Sequence, residues 1–179
     1  MKGWVIPPEQ SSDFVAHMER VLDVYRRPYD KSNPVVCMDE FPKQLTGDAR
    51  ESLPMKPGAD KREDYEYVRL GMVNIFMANE PLAGNRMVEV TKTKKKEDWA
   101  RFEFVFTPKH ESWLNMAEIE SHVLNGQCLN RHIATMDKVK SEVEAWQDCR
   151  NNRDAKINWQ FTKEDARIKL RRLYPTIET

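Results

Sequence analysis

The chain has 179 residues, enough for one domain with its own core. Its 29 basic side chains cancel 29 acidic ones, so net charge argues for neither a nucleic-acid nor a membrane partner, and any basic surface must be local. Three cysteines, Cys37, Cys128 and Cys149, odd in number and outside any CxxC, argue against a disulfide framework or a zinc site and suit a reducing cytoplasm. The opening MKGWVIPPEQ lacks the apolar core of a signal peptide, and no run approaches membrane-spanning length. The expectation is a soluble cytoplasmic protein with no membrane partner.

Pro7–Arg27 reads as an amphipathic helix capped by Ser11 or Ser12, with Phe14, Met18, Val21, Leu22 and Tyr25 on one face. Pro28-Tyr29-Asp30 stops it. In Pro34–Leu45 the apolar run Val35–Met38 ends in two acids, Asp39 and Glu40, and Pro42 follows. That reads as a short strand buried on both faces with carboxylates at its end. A carboxylate there costs desolvation energy unless it is paired or binds a cation; a plain turn-capping Asp is the alternative. Glu40 reads as a solvated acid or a partner of Lys43.

Thr46–Asp64, with Gly47, Pro54, Pro57 and Gly58 among charges, reads as a long connector. Tyr65–Ala78 is a long β-type run and Pro81–Asn85 a turn. Arg86–Thr91 is a further strand with Val88 and Val90 on one face and Glu89 on the other. Together these start a three-stranded, largely antiparallel sheet. Lys92–Lys96 then opens a helix through Trp99 and Phe102. Its lysines read as a solvated face or as point-charge contacts to phosphates. Phe102 meets the strand Glu103–Thr107 with no turn residue between them, a junction neither element expects.

Asn115 is a good N-cap, and Glu118 three residues on gives a capping-box-like pattern for a helix running to about Asn125-Gly126. Glu120 lies near Trp113, Val123 and Leu124 by helical arithmetic, so it is the more buried of the two acids. Thr135–Arg150 is another helix, with Val139, Val143 and Trp146 inward. Ile157, Trp159 and Phe161 alternate as a short strand or extended segment. Thr162 and Asp165 cap a basic helix, Ala166–Tyr174, ended by Pro175.

Three stretches carry a family resemblance: VVCMDEFPKQL, YEYVRLGMVNIFMANEPLAGNRMVEVT and FVFTPKHESWLNMAEIESHVLNGQCLNRHI, supported by the tail WQFTKEDARIKLRRLYP. In order and wording they resemble the catalytic domain of bacterial insertion-sequence transposases of the mariner superfamily, DDE-type endonucleases. The resemblance implies an α/β, ribonuclease-H-like fold, a mixed sheet flanked by helices. It implies an N-terminal helix and linker over 1–33 and the catalytic domain over 34–179. In such enzymes three carboxylates hold two Mg²⁺ (or Mn²⁺) ions for phosphodiester cutting and joining. Asp39 matches the first acid and Glu118 the third, in an Asn-x-x-Glu pattern, with Glu120 as the rival ligand. The implied partner is DNA, at transposon ends and target, contacted through Lys92, Lys94, Lys95, Lys96, Lys109, His110 and Trp113. A packed Trp and a surface His are the competing readings for the last two. A homodimer, or pairing with an intact transposase, is the implied assembly.

The chain also departs from the family. The second acid, carried in the family on another strand ending in Asp-Asn, is missing at the 102–103 junction. An internal deletion of one central strand and helix is the simplest explanation. Phe41 stands where Lys is common, and Glu111 where a Gly usually precedes Ser-Trp. The sequence begins at what reads as the linker before the catalytic domain, so the family's N-terminal helix-turn-helix region is expected to be absent. The expectation is a catalytically impaired transposase domain, unless Glu103, Glu111 or Glu120 stands in for the lost acid. The alternative is a non-catalytic remnant that binds DNA weakly through Lys92–Lys96 and Arg167–Arg172 or associates with an intact copy. Loss of a central strand further predicts low stability or self-association.

Overall fold

Alternation in the long β run dictates the sheet. Val73, Ile75, Met77 and Asn79 are buried while Asn74, Phe76 and Ala78 between them are half-exposed, the period-two signature of a strand covered on one face. The computed structural model describes residues 11–50, 55, 57–58, 66–92, 105–108 and 112–175. Within them three antiparallel strands, β1 (Cys37–Asp48), β2 (Tyr67–Glu80) and β3 (Asn85–Thr91), lie in the order β1-β2-β3. Paired residues share a face, so Asp39, Met77 and Val88 form one row. Cys37, Asn79 and Arg86 form the next. Four α-helices complete a mixed α/β architecture: α1 (Ser12–Tyr25), α2 (Met116–Leu124), α3 (Met136–Asn151) and α4 (Lys163–Lys169). No described helix is long and apolar enough to cross a membrane.

β1 differs from its sequence reading. It begins at Cys37 and runs through Pro42 to Asp48, so Asp39 sits inside the strand rather than at its end, and the expected connector loses its first three residues to β1. Position explains this. β1 lies at the edge of the described sheet, and the backbone groups of Met38, Glu40 and Thr46 bond to partners other than β2. Pro42 shares their parity, so its missing N–H falls on the outward side, where Pro is tolerated. Nor is the strand buried on both faces: Cys37 and Leu45 are buried, while Met38 and Glu40 are half-exposed. A bulge opposite Leu45 is built on Gly71, whose φ of 119° suits glycine. Gly84 closes the β2–β3 turn at φ 80°, where an added Cβ would stand 2.7 Å from the Asp154 carbonyl carbon.

The reading Glu103–Thr107 as a strand does not hold for its described part, since Val105–Pro108 has no regular secondary structure. The helix expected over 94–102, and the 102–103 junction, lie outside the described residues. Elsewhere the caps hold and the lengths change. Ser11 accepts from Phe14 N and starts α1, which ends at Tyr25. Thr162 and Asp165 form a reciprocal capping box, which starts α4 at Lys163 rather than Ala166. The segment then tightens to a 3₁₀ turn, Arg171–Leu173. α2 continues as a π-helical turn over Asn125–Leu129.

Two apolar cores result. The larger joins the sheet to α2 and α3, whose Val139, Val143 and Trp146 face inward as their i, i+4, i+7 spacing requires. The second packs Phe14, Met18, Val21 and Leu22 of α1 against Leu114, Ala166, Leu170 and Leu173. Charges strap its rim: Arg167 donates to both oxygens of Glu19, at 2.8 and 3.0 Å, and Lys163 donates to Asp23 at 2.9 Å. Those bonds, from Arg167 above all, hold the Glu19 carboxyl below its ordinary pKa. Tyr25 ties the cores together. Its hydroxyl donates to Leu114 O at 2.6 Å and accepts from Met116 N at 3.3 Å, and its ring packs edge-on to Trp159.

Candidate metal centre

Asp39 projects from β1 on the helix-covered face, opposite Met77, and is half-buried. Its Oδ1 accepts from the Glu40 backbone N–H at 2.8 Å. Burial raises its pKa above the ordinary value. The Glu40 N–H bond works against that shift, and the nearby charges of Glu118 and Glu40 reinforce it.

Glu118 arrives from the far part of the chain because of Asn115. The Asn115 side chain does two jobs at once: Oδ1 accepts from Ala117 N at 3.1 Å, capping α2, and Nδ2 donates to Met38 O at 2.7 Å. Met38 and Asn115 are 77 positions apart. That single amide fastens the mouth of α2, whose first turn carries Glu118, to the residue before Asp39. Cap contact is with Ala117, so the expected capping box with Glu118 is not formed and the Glu118 side chain is left for other use. Among the described residues, neither Asp39 nor Glu118 is ion-paired to a basic side chain. Two half-buried carboxylates that repel one another, with solvent at hand to complete coordination, are a donor set that fits one hard, oxygen-seeking cation. No group of three or more His, Cys, Asp or Glu able to hold a metal occurs among the described residues. Glu103 and Glu111 lie outside them.

Glu120, the rival ligand, is disposed differently. Two residues along a helix is about 200° of rotation, which carries it to the other side of α2. There it is 1% exposed and committed to two guanidinium groups: Arg150 Nη2 to Oε1 at 2.6 Å and Arg86 Nε to Oε2 at 3.1 Å. Helical arithmetic is right about its burial, but two arginines use the oxygens a cation would need. Arg86 is itself fully enclosed. Its Nη1 donates to Asn151 Oδ1 at 3.2 Å and its Nη2 to Ala155 O at 2.5 Å, and burial pulls its pKa below the usual value. The sequence reading missed Arg86 and Arg150. The signal for Arg86 was present, since it shares the parity of Val88 and Val90, the apolar face of β3.

The residues expected to touch DNA are scattered in their outcomes. Lys92 is exposed just past the end of β3. Lys94, Lys95, Lys96, Lys109 and His110 lie outside the described residues. Trp113, in a 3₁₀ turn over Ser112–Leu114, packs edge-on against Phe161 at 5.7 Å in the second core, as its competing reading anticipates. Arg167, in the basic stretch Arg167–Arg172, is held by Glu19. Compared with protein-family models, with curated proteins and with solved structures, the chain has no match.

Proposed function

We propose that the chain is a ribonuclease-H-like catalytic domain of a DDE-type transposase in which Asp39 and Glu118 bind one divalent cation, Mg²⁺ or Mn²⁺, and whose DNA cutting and joining is impaired by the missing second acid. The observation that carries the reading is the Asn115–Met38 bond, which brings the Asn-x-x-Glu turn of α2 beside Asp39. An antiparallel β1-β2-β3 sheet with the first acid on β1 supports the fold assignment, and the charge of Glu118 felt at Asp39 supports a shared site.

The chain's own groups do the positioning. Met38 O and Asn115 fix the distance between strand and helix, and the Glu40 N–H orients one Asp39 oxygen; the second oxygen and Glu118 would hold the cation. A bound cation supplies positive charge against a phosphodiester oxygen. Two carboxylates serve one ion and give a second ion no acid of its own, so binding without efficient strand cleavage is the expected behaviour.

The test is a Mn²⁺ titration of the full chain, followed by the electron paramagnetic resonance signal of the free ion, beside a supercoiled-plasmid nicking assay. One site per chain is expected, lost in Asp39→Ala and in Glu118→Ala, with nicking weak at most and absent from Asp39→Ala. Equal Mn²⁺ binding by Asp39→Ala, or nicking that persists in it, overturns the assignment.

A further inference from the structure

We infer that Glu120, Arg86 and Arg150 are positioning residues for the cation site, acting through the rotation of α2. This rests on the reading of Asp39 and Glu118 as cation ligands. Glu118 and Glu120 stand on opposite sides of one helix, so whatever holds the second fixes the azimuth of the first. Two elements touch Glu120, β3 through Arg86 and α3 through Arg150, and the segment after α3 steadies Arg86 through the Ala155 carbonyl. Asn151 adds a brace, accepting from both the backbone N–H and the guanidinium of Arg86.

The magnitude makes the clamp matter. A carboxylate on the rim of a helix stands about 5–6 Å from its axis, so a slip of about 20° moves it by about 2 Å. Ligand distances at a metal site hold within about 0.2 Å. The apolar contacts of α2, through Met116, Ala117 and Leu124, resist separation from the sheet but are non-directional and tolerate such a slip. Asn115 pins the end of the helix and leaves rotation about that point open. The Arg150–Glu120 hydrogen bond is directional, and the buried Arg86 charge 3.1 Å from the other Glu120 oxygen holds the carboxylate from the sheet side, which together close it.

Burying two arginines around one glutamate costs desolvation that apolar residues of similar volume would not incur. Stability alone therefore gives this arrangement no advantage, and the test separates stability from geometry. In E120L/R86M/R150M the melting midpoint is expected to equal or exceed that of the wild type, while Mn²⁺ affinity falls about ten-fold, the scale of lost ligand support. Glu120→Gln and Arg150→Gln, milder and singly made, are read in the same titration and should each weaken Mn²⁺ several-fold. Val21→Ala in the second core is a control that lowers stability without touching the clamp, and its affinity should stay within two-fold of wild type. Should the triple variant fail to fold, the single variants decide. Clamp variants that fold and bind Mn²⁺ as the wild type does overturn the inference. A wild type that binds no better than Asp39→Ala removes the reading beneath it instead.

Discussion

Asp39 is held against its own chemistry, and that has a consequence for stability as well as for binding. Burial and the charges of Glu118 and Glu40 raise its folded-state pKa above the unfolded value. A raised carboxyl favours the fold when protonated, and that contribution is lost as pH rises through the folded pKa. At neutral pH, without divalent ions, the ionised Asp39 is therefore a cost. Asp39→Asn should raise the melting midpoint at pH 7, by a few degrees at most because water screens a half-exposed carboxylate. The gain should shrink toward zero near pH 3, where an unfolded aspartate is protonated too. Saturating Mn²⁺ should reverse the order, because it stabilises only a protein that binds it. Thermal melts at both pH values, with and without Mn²⁺, check all three arms; an unchanged or lower midpoint at pH 7 would count against the cost. At this scale the sequence was legible for the Asn115 cap, whose amide oxygen carries its own signal. It was opaque for Arg150, and for Arg86 strand parity signals the buried face but not the partner: Glu120 lies 34 positions from Arg86 and 30 from Arg150 and is named by no local rule.

Among the elements, both outer strands of the described sheet are closed by side chains, and on β1 by one loop carbonyl, rather than by further described strands. On β3, Val88 N donates to Gln147 Oε1 at 2.7 Å, while Asn151 both accepts from Arg86 N and donates to Arg86 O. On β1, Asn115 takes Met38 O, the Asp39 carboxylate takes Glu40 N, Ile133 O takes Thr46 N, and Pro42 has no N–H to offer. An edge so occupied is a poor template for another chain's strand. This bears on the expectation that a lost central strand leaves exposed backbone: α2 and the Ile133 segment satisfy part of what a neighbouring strand would. Q147A/N151A should uncover the β3 edge, cost about 1–3 kcal/mol in urea unfolding from orphaned backbone groups, and shift sedimentation toward oligomers at high concentration. A double variant as stable and as monomeric as the wild type would show the edge is protected otherwise. The caps at Ser11, Asn115 and Thr162 were readable, since each carries its own signal in a side-chain oxygen, but the first turn of α4 was not: it starts at Lys163, not Ala166. β1 was misjudged because Pro42 reads as a strand terminator unless one knows that the strand is an edge, a fact that belongs to the sheet and not to the residue.

For the molecule as a whole, the question is how two cores on one chain act together. The α1–α4 core and the sheet–α2–α3 core meet at Tyr25, the last residue of α1. Its hydroxyl bonds to Leu114 O and Met116 N on either side of Asn115, within reach of Cys37 Sγ at 3.9 Å. Burial raises the pKa of Tyr25 and pushes that of Cys37 up to about 11, so both stay neutral across the physiological range and the junction is insensitive to pH there. Tyr25→Phe keeps the ring and its packing on Trp159 but removes both bonds, leaving a carbonyl and an N–H without their partner at the mouth of α2. The cost should be about 1–3 kcal/mol. Tyr174→Phe, which loses one bond to Glu19 on the charged rim, should cost less than about 1 kcal/mol. Urea unfolding of the two variants side by side makes the comparison. Because Asn115 sits between the two groups that Tyr25 holds, Tyr25→Phe should also weaken Mn²⁺ binding, whereas Tyr174→Phe should not. Equal losses of stability in the two variants, with Mn²⁺ affinity untouched, would mean that the cores are joined by apolar contact alone and that α1 has no hand in setting the carboxylate pair.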